Sequence, residues 1–237
     1  MRQGKLILIP NLIGENNIDN GITKKIIDTI IETDFFIVEN IKSARRFIKK
    51  VVPNKIIDNI TFFAYGKHDN LDLQEDFLKN ILLGNDIGLI SEAGVPAVAD
   101  PGAKIVEYAH QYKIRVVPLV GPSSILLALM SSGMNGQNFA FNGYLPIDEK
   151  EKIRKIKLLE KISNNSGQTQ IFMETPYRNL QLFESVLKVC SKNTKLCIAS
   201  NITLDSENIK TKTIEEWKSS NLPDIHKSPT IFLIYGR

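Results

Sequence analysis

Along the first half of the chain, short apolar runs alternate with stretches of helical spacing. Residues 6–10, 34–39, 61–64, 86–91 and 115–120 read as strands. Between them, residues 22–31, 43–51, 71–83 and 103–111 repeat apolar positions every three or four residues, as amphipathic helices do. Residues 6–10 are apolar throughout, the mark of a central strand buried on both faces. Strict strand–helix alternation predicts a parallel sheet. Residues 11–21, rich in Asn and Gly, are long for a strand-to-helix connection.

Beyond Met134 the pattern changes. Strands are predicted at 139–144, 170–174, 195–202, 208–213 and 230–235, and helices at 125–132, 148–163, 176–190 and 214–219. Thr175 and Pro176 suit the cap and first position of their helix. Strands now come as neighbours, so this sheet is expected to be mixed. The reading is an α/β protein of two α/β domains, 1–120 and 121–237, with the loop at Gly121 as the hinge.

Two strand-to-helix corners stand out. Residues 89–102 read LISEAGVPAVADPG, an apolar run that breaks into small residues, prolines and acids before a helix. Residues 115–124 repeat the plan, ending in Gly121-Pro122-Ser123-Ser124. In open α/β sheets such corners hold ligands, because bare backbone N–H groups point outward there. Gly94 permits close approach, while Pro96 and Pro101 stiffen the loop. An ordinary connecting loop is the plainer reading of either corner alone. Two of them within one strand–helix–strand unit are more specific.

Composition adds bounds. The 237 residues are 43% hydrophobic and 24% charged, with a net charge of +4, which permits an anionic partner without demanding one. Cys190 and Cys197, the two cysteines, suggest neither a disulfide framework nor a metal site. No apolar run has membrane-span length, so a cytoplasmic protein is expected. The nucleotide-binding motifs GxGxxG and GxxxxGK[ST] are absent, as are HExxH, CxxC and GxSxG.

The residues that remain resemble a known family. Residues 89–102 are similar to the SDAGTP…SDPG segment of the tetrapyrrole methylase superfamily (class III methyltransferases), in its ribosomal RNA small subunit methyltransferase I branch. Gly121-Pro-Ser-Ser124 is similar to GPSA, and Ser132-Gly133 with residues 139–146, FAFNGYLP, to SG…F.F.GFLP. Residues 172–178, FMETPYR, resemble F.ESPHR, and Glu39-Asn-Ile-Lys42 resembles EDTR. The likeness runs in order from Leu6 to Thr203. It departs in residues 9–15, at Asn40-Ile-Lys42, where EDTR keeps its Glu but loses the acid and the arginine, at Glu92 in place of Asp, and at Asn201-Ile-Thr-Leu204 in place of ELTK. The altered positions lie on the presumed acceptor side.

The resemblance implies a cofactor, S-adenosylmethionine, in a cleft between the two domains, and 2′-O-methylation of a cytidine in 16S rRNA by a homodimer. It assigns Gly94, Val95 and Ala97, with Ser123 and Ser124 nearby, to the methionine part of the cofactor, Met173, Asn201 and Ile202, with Thr230 close by, to its adenine side, and Pro10 to the cofactor site as a whole. No metal is implied. A tetrapyrrole or other small-molecule acceptor, or a cofactor-binding protein whose catalysis has decayed, stays open.

Methyl transfer needs an oriented acceptor and a base for its proton. Glu39, Glu92 and Glu174 each follow or end a strand, and Arg178 calls for an anionic partner, either Glu174 one turn away or RNA phosphate. Capping acids, favoured by the helix dipole, are the plainer account of each carboxylate. Lys42, Arg45, Arg46, Lys49 and Lys50 suit either a solvated helix face or a phosphate backbone. The charges of residues 150–161 suggest i,i+4 pairing, and Trp217 a packing anchor. His110 suits a helix end, and His68 has no apparent partner in the sequence.

Overall fold

The structure, a computed structural model, describes residues 2–14, 18, 21–65 and 71–236. Packing divides the chain into two compact units, Met1–Ser123 and Ser124–Arg237.

The first unit holds β1 (Leu6–Ile9), α1 (Lys24–Glu32), β2 (Phe35–Val38), α2 (Ile41–Val51), β3 (Thr61–Ala64), α3, β4 (Ile87–Ile90), α4 (Ala103–Gln111) and β5 (Val116–Pro118). Here α3 opens as a π-helical segment, Leu73–Leu78, and continues as α-helix over Lys79–Leu82. The five strands form one sheet in the order β3-β2-β4-β1-β5, with every pair parallel. Alternate strand residues enter opposite cores, as a period of two requires. Ile7, Ile9, Phe36, Val38 and Ile90 pack with Ile26, Ile30, Phe47 and Ile48 of α1 and α2. Leu6, Ile37, Ile87 and Leu89 pack with Phe77, Ile81, Ile105 and Ala109 of α3 and α4. Helices therefore cover both faces, which is why the strands read as continuous apolar runs. Side-chain oxygens of Thr23 and Asn40 cap α1 and α2 by accepting from the N–H groups of Ile26 and Ser43.

The second unit holds α5 (Ser124–Ser132), β6 (Phe139–Tyr144), α6 (Glu149–Ser166), β7 (Thr169–Met173), α7 (Asn179–Val189), β8 (Lys195–Ser200), β9 (Asn208–Thr213), α8 (Ile214–Lys218) and β10 (Thr230–Tyr235). Its sheet runs β6-β7-β10-β8-β9, with β6 and β7 parallel and the other pairs antiparallel. The expected mixed sheet is thus present. The predicted helix 176–190 begins with a tight 3₁₀ turn, Pro176–Arg178, in which the Arg178 N–H donates to Thr175 O. Trp217 is the anchor its position suggested. It is buried, meets the Phe183 ring edge-on and donates from Nε1 to Leu196 O. In residues 150–161 the expected i,i+4 pairing is replaced by one i,i+3 pair, Lys152 with Glu149. Glu160 turns inward instead, accepting from Ser191 N and Thr194 Oγ1. Cys190 and Cys197 are buried free thiols.

Gly88 lies in β4 where a Cβ would sit 2.8 Å from both Ile9 Cδ1 and Phe36 Cδ1. Gly88→Ala should overpack this core and cost about 1–3 kcal/mol. A urea titration should show a lower midpoint with an unchanged slope.

Candidate functional site

In a parallel sheet every strand ends at the same edge, so the loops leaving β1, β2, β4 and β5 begin as neighbours. Asn11 ties two of them together. Its N–H donates to Gly94 O at 2.8 Å, and its Nδ2 donates to Ser91 O at 2.9 Å and Glu92 O at 3.1 Å. Ser91 Oγ also donates to Gly94 O. The β5 loop closes on the same point. A Cβ on Gly94 would lie 3.3 Å from Pro122 O, and one on Gly121 would lie 2.2 Å from Pro10 Cβ. The two corners singled out in the sequence therefore face each other, and Pro10 packs beneath the second.

The β4 loop is strained. Gly94 has φ +70°, and Ala97 and Ala99 have φ 65° and 57°. For an L-residue with a Cβ this region costs on the order of 1–2 kcal/mol. Asp100 offsets part of that cost: its Oδ1 accepts from Ala97 N at 3.0 Å and from Gly102 N at 2.7 Å. The Ala97 N–H is thereby satisfied within the loop. Gly94 pairs with Asn11 in an isolated antiparallel bridge, while among the described residues the N–H of Val95 has no hydrogen-bond partner.

Glu39 and Glu92 stand at this edge and differ in state. Burial first, then contact with Asp100, pushes the Glu39 carboxyl up to about 7, although the Glu92 N–H that it faces pulls the other way. Glu92 accepts from Ser43 Oγ at the start of α2. Beside Glu92, residues Asn11–Gly14 and the α2 side chains of Ser43, Arg46, Phe47 and Lys50 enclose a pocket of about 400 Å³. The α2 cations are divided in their work. Arg45 lies over the Phe62 ring, and Lys49 donates to Pro53 O, while Lys42 and Arg46 are exposed.

In the second unit, Met173, Thr230 and Asn201 gather at one end of the sheet, where β7 and β8 stop and β10 starts. Asn201 has φ +52° and donates its N–H to Pro229 O. The Ile202 side chain is buried in the core with Ile231, so only its backbone faces outward chemistry. Thr230 Oγ1 donates to Ser228 O and accepts from Asn179 Nδ2. Glu174 and Arg178, both read from the sequence as reactive, hold each other: Arg178 Nη2 donates to Glu174 Oε1 at 2.6 Å. Burial raises the Glu174 pKa, but Arg178 and the Thr175 N–H outweigh it, and the net effect lowers it below its ordinary value. Glu174 Oε2, Arg178 Nε and Asn179 Oδ1 are buried without partners among the described residues.

Ser123 closes the first unit, and Ser124 is the first helical residue of the second. His110 lies in the last turn of α4, as its sequence position suggested. His68 and Glu15 lie outside the described residues. Sequence reasoning passed over Asn11 and Asp100. The signal available for Asp100 was its place before Pro101, a turn-initiating pair.

No protein-family model matches the chain. It is 30% identical to the ribosomal RNA small subunit methyltransferase I of Vibrio cholerae serotype O1, over 98% of this chain and 77% of that protein. The protein of the same name from Haemophilus influenzae is also 30% identical, over 91% of this chain and 74% of its own length. Among solved structures, the methyltransferase CobJ shares the fold with a TM-score of 0.64 at 15% identity, over 98% of this chain and 94% of that one.

The Glu174–Arg178 pair has a signed pH consequence. With its folded pKa depressed, Glu174 contributes stability above the ordinary value of 4.5 and loses it as the pH falls through the depressed value. In Arg178→Met, burial is left as the dominant influence and the sign reverses. Chemical denaturation should show this variant losing stability between pH 5 and pH 8, beyond any change in the wild type.

Proposed function

The chain belongs to the ribosomal RNA small subunit methyltransferase I family, a family of methyltransferases, and from that premise we propose that it methylates the 2′-hydroxyl of a cytidine in 16S rRNA, using S-adenosylmethionine. The observation that carries the proposal is the meeting of the corners at Gly94 and Pro122 on the strand-end edge of the parallel sheet. This cradle fits the cofactor's methionine part. The free N–H of Val95, beside the side-chain-free Gly94, suits a carboxylate, and the Ala97 carbonyl suits an ammonium. Ser123 and Ser124 add hydroxyls, and Pro10 stiffens the wall behind Gly121. In the second unit the proposal assigns adenine contacts to the Met173 thioether, the backbone at Asn201 and Ile202, and Thr230.

When bound, the cofactor supplies a methyl group on an electrophilic sulfonium. The protein's part is to orient the ribose and take its proton. Of the four residues considered for catalysis, Glu174 and Arg178 occupy each other, and Glu39 is raised to about 7 by burial and Asp100. Glu92, held by the Ser43 hydroxyl at the mouth of the pocket, is the carboxylate assigned as base. The exposed Lys42 and Arg46 are assigned to RNA phosphates. The reading extends to a homodimer that meets small ribosomal subunits in the cytoplasm.

Labelled cofactor with small ribosomal subunits on one side and precorrin-type compounds on the other tests the acceptor. Transfer to the subunits is expected, and transfer only to the small molecule would overturn the RNA reading. A Gly94→Val variant should lose cofactor binding by calorimetry, since the side chain would enter the φ +70° position facing Pro122 O, while it still melts cooperatively at a temperature lower by about 2–8 °C. Reversing both Lys42 and Arg46 to Glu should weaken rRNA binding and flatten its log–log salt dependence by about 0.7–0.9 per lost phosphate contact.

A further inference from the structure

Tyr177 stands in the middle of the 3₁₀ turn Pro176–Arg178, and 71% of it is exposed. A single exposed aromatic is ordinary on a protein surface. This one differs in what is fixed beside it. The loop that leads into β10 is bonded to the turn, with the Lys227 N–H donating to Pro176 O at 3.1 Å. Lys227 itself has φ +61°, a conformation that residues with a Cβ rarely adopt. Asn179, fully buried, holds the same loop on either side of residues 226 and 227. Its Nδ2 donates to Ile225 O at 3.1 Å and to Ser228 O at 2.7 Å. These bonds set the His226 ring 6.5 Å from the Tyr177 ring and nearly perpendicular to it, at 82°. They also set Lys227 Nζ over the Tyr177 ring, 5.8 Å from its centre.

The two contacts leave most of the Tyr177 ring in water. Among the described residues, Lys227 Nζ has neither a carboxylate nor a hydrogen-bond acceptor. Of the charges nearest in sequence, Arg178 is bound to Glu174, and Asp224 borders a cavity of about 570 Å³ with Lys210 and Lys212. An acidic side chain would satisfy the ammonium alone, and an apolar one the ring alone. One nucleotide satisfies both: an unstacked base lies on the ring, and its phosphate meets the ammonium. We propose that Tyr177 is a stacking platform for a base of single-stranded RNA, with Lys227 paired to the adjoining phosphate. The proposal rests on the rRNA reading given under Proposed function and deepens it, since it has the substrate held as an unpaired nucleotide. The turn follows Met173 and Glu174 directly, and Thr230 Oγ1 donates to Ser228 O of the loop, so the platform stands at the sheet end where the proposed adenine contacts gather.

The test uses the full chain and a short single-stranded oligocytidylate carrying 2-aminopurine at its centre, read by anisotropy for affinity and by emission for stacking. Wild type and Tyr177→Phe should bind it and quench the aminopurine. Tyr177→Leu, apolar but not flat, and Tyr177→Ala should bind about 5- to 100-fold more weakly and leave the aminopurine bright. Lys227→Met should keep the quenching and lower the log–log salt slope by about 0.7. Circular dichroism should be the same for all five proteins, because both side chains are exposed. Wild-type binding and quenching by Tyr177→Leu, or no binding of the oligonucleotide by the wild type, would overturn the platform. S-adenosylhomocysteine affinity should be equal in wild type and Tyr177→Ala; a loss there with RNA binding intact would give the ring to the cofactor instead and refute the proposal. Methyl transfer to subsaturating small ribosomal subunits separates this proposal from the activity. A wild-type rate in Tyr177→Ala would sink the platform and leave the rRNA activity standing. Oligonucleotide binding that depends on Tyr177, without transfer to the subunits, would sink the activity and leave the platform standing.

Discussion

A single buried amide holds the site of the first unit together. Asn11 lies at the end of the central strand, and its side chain has exchanged water for the carbonyls of Ser91 and Glu92. Its backbone meanwhile bonds Gly94. Burying an amide is tolerable only when its groups are satisfied, so these contacts come as a set. Beyond the parallel β1–β4 pairing they add an antiparallel bridge between Asn11 and Gly94, which fixes where the glycine corner lies. The wall built by Pro10 and Gly121, and the approach of Pro122 to Gly94, depend on that placement.

Three glutamates with the same side chain have been given three environments. Glu174 is buried against a guanidinium and stays ionised. Glu39 is partly buried against another carboxyl and holds its proton to about pH 7. Glu92 has a serine hydroxyl for company and borders a pocket. Chemistry at these sites follows from the neighbour in each case: Arg178 lies one turn after Glu174, whereas Asp100 and Ser43 reach Glu39 and Glu92 from other segments of the chain.

That dependence explains what could be read from the chain alone. The strands of the first sheet were legible because helices on both faces make them apolar throughout, and Phe35–Val38 and Ile87–Ile90 fall inside the predicted runs. The mixed sheet was legible from strands that follow one another without a helix. Ends were less so: the π-helical opening at Leu73–Leu78 keeps the apolar spacing of an α-helix and leaves no distinct trace. The corners at Gly94 and Ser123 showed as small residues and prolines. Asn11 did not, because it sits in an Asn-rich stretch and its partner Ser91 is 80 residues away. Asp100 acts on the backbone of its own loop, and Glu39 could not be told from a capping acid until Asp100 was seen beside it.

Trp217 has a practical corollary. It is the chain's one tryptophan, and it is packed inside the second unit against Phe183 and beneath Lys212. Indole emission therefore watches only that half of the molecule. An unfolding curve recorded at that wavelength would be blind to a separate opening of the parallel-sheet half, where the loops of Asn11 and Gly94 reside.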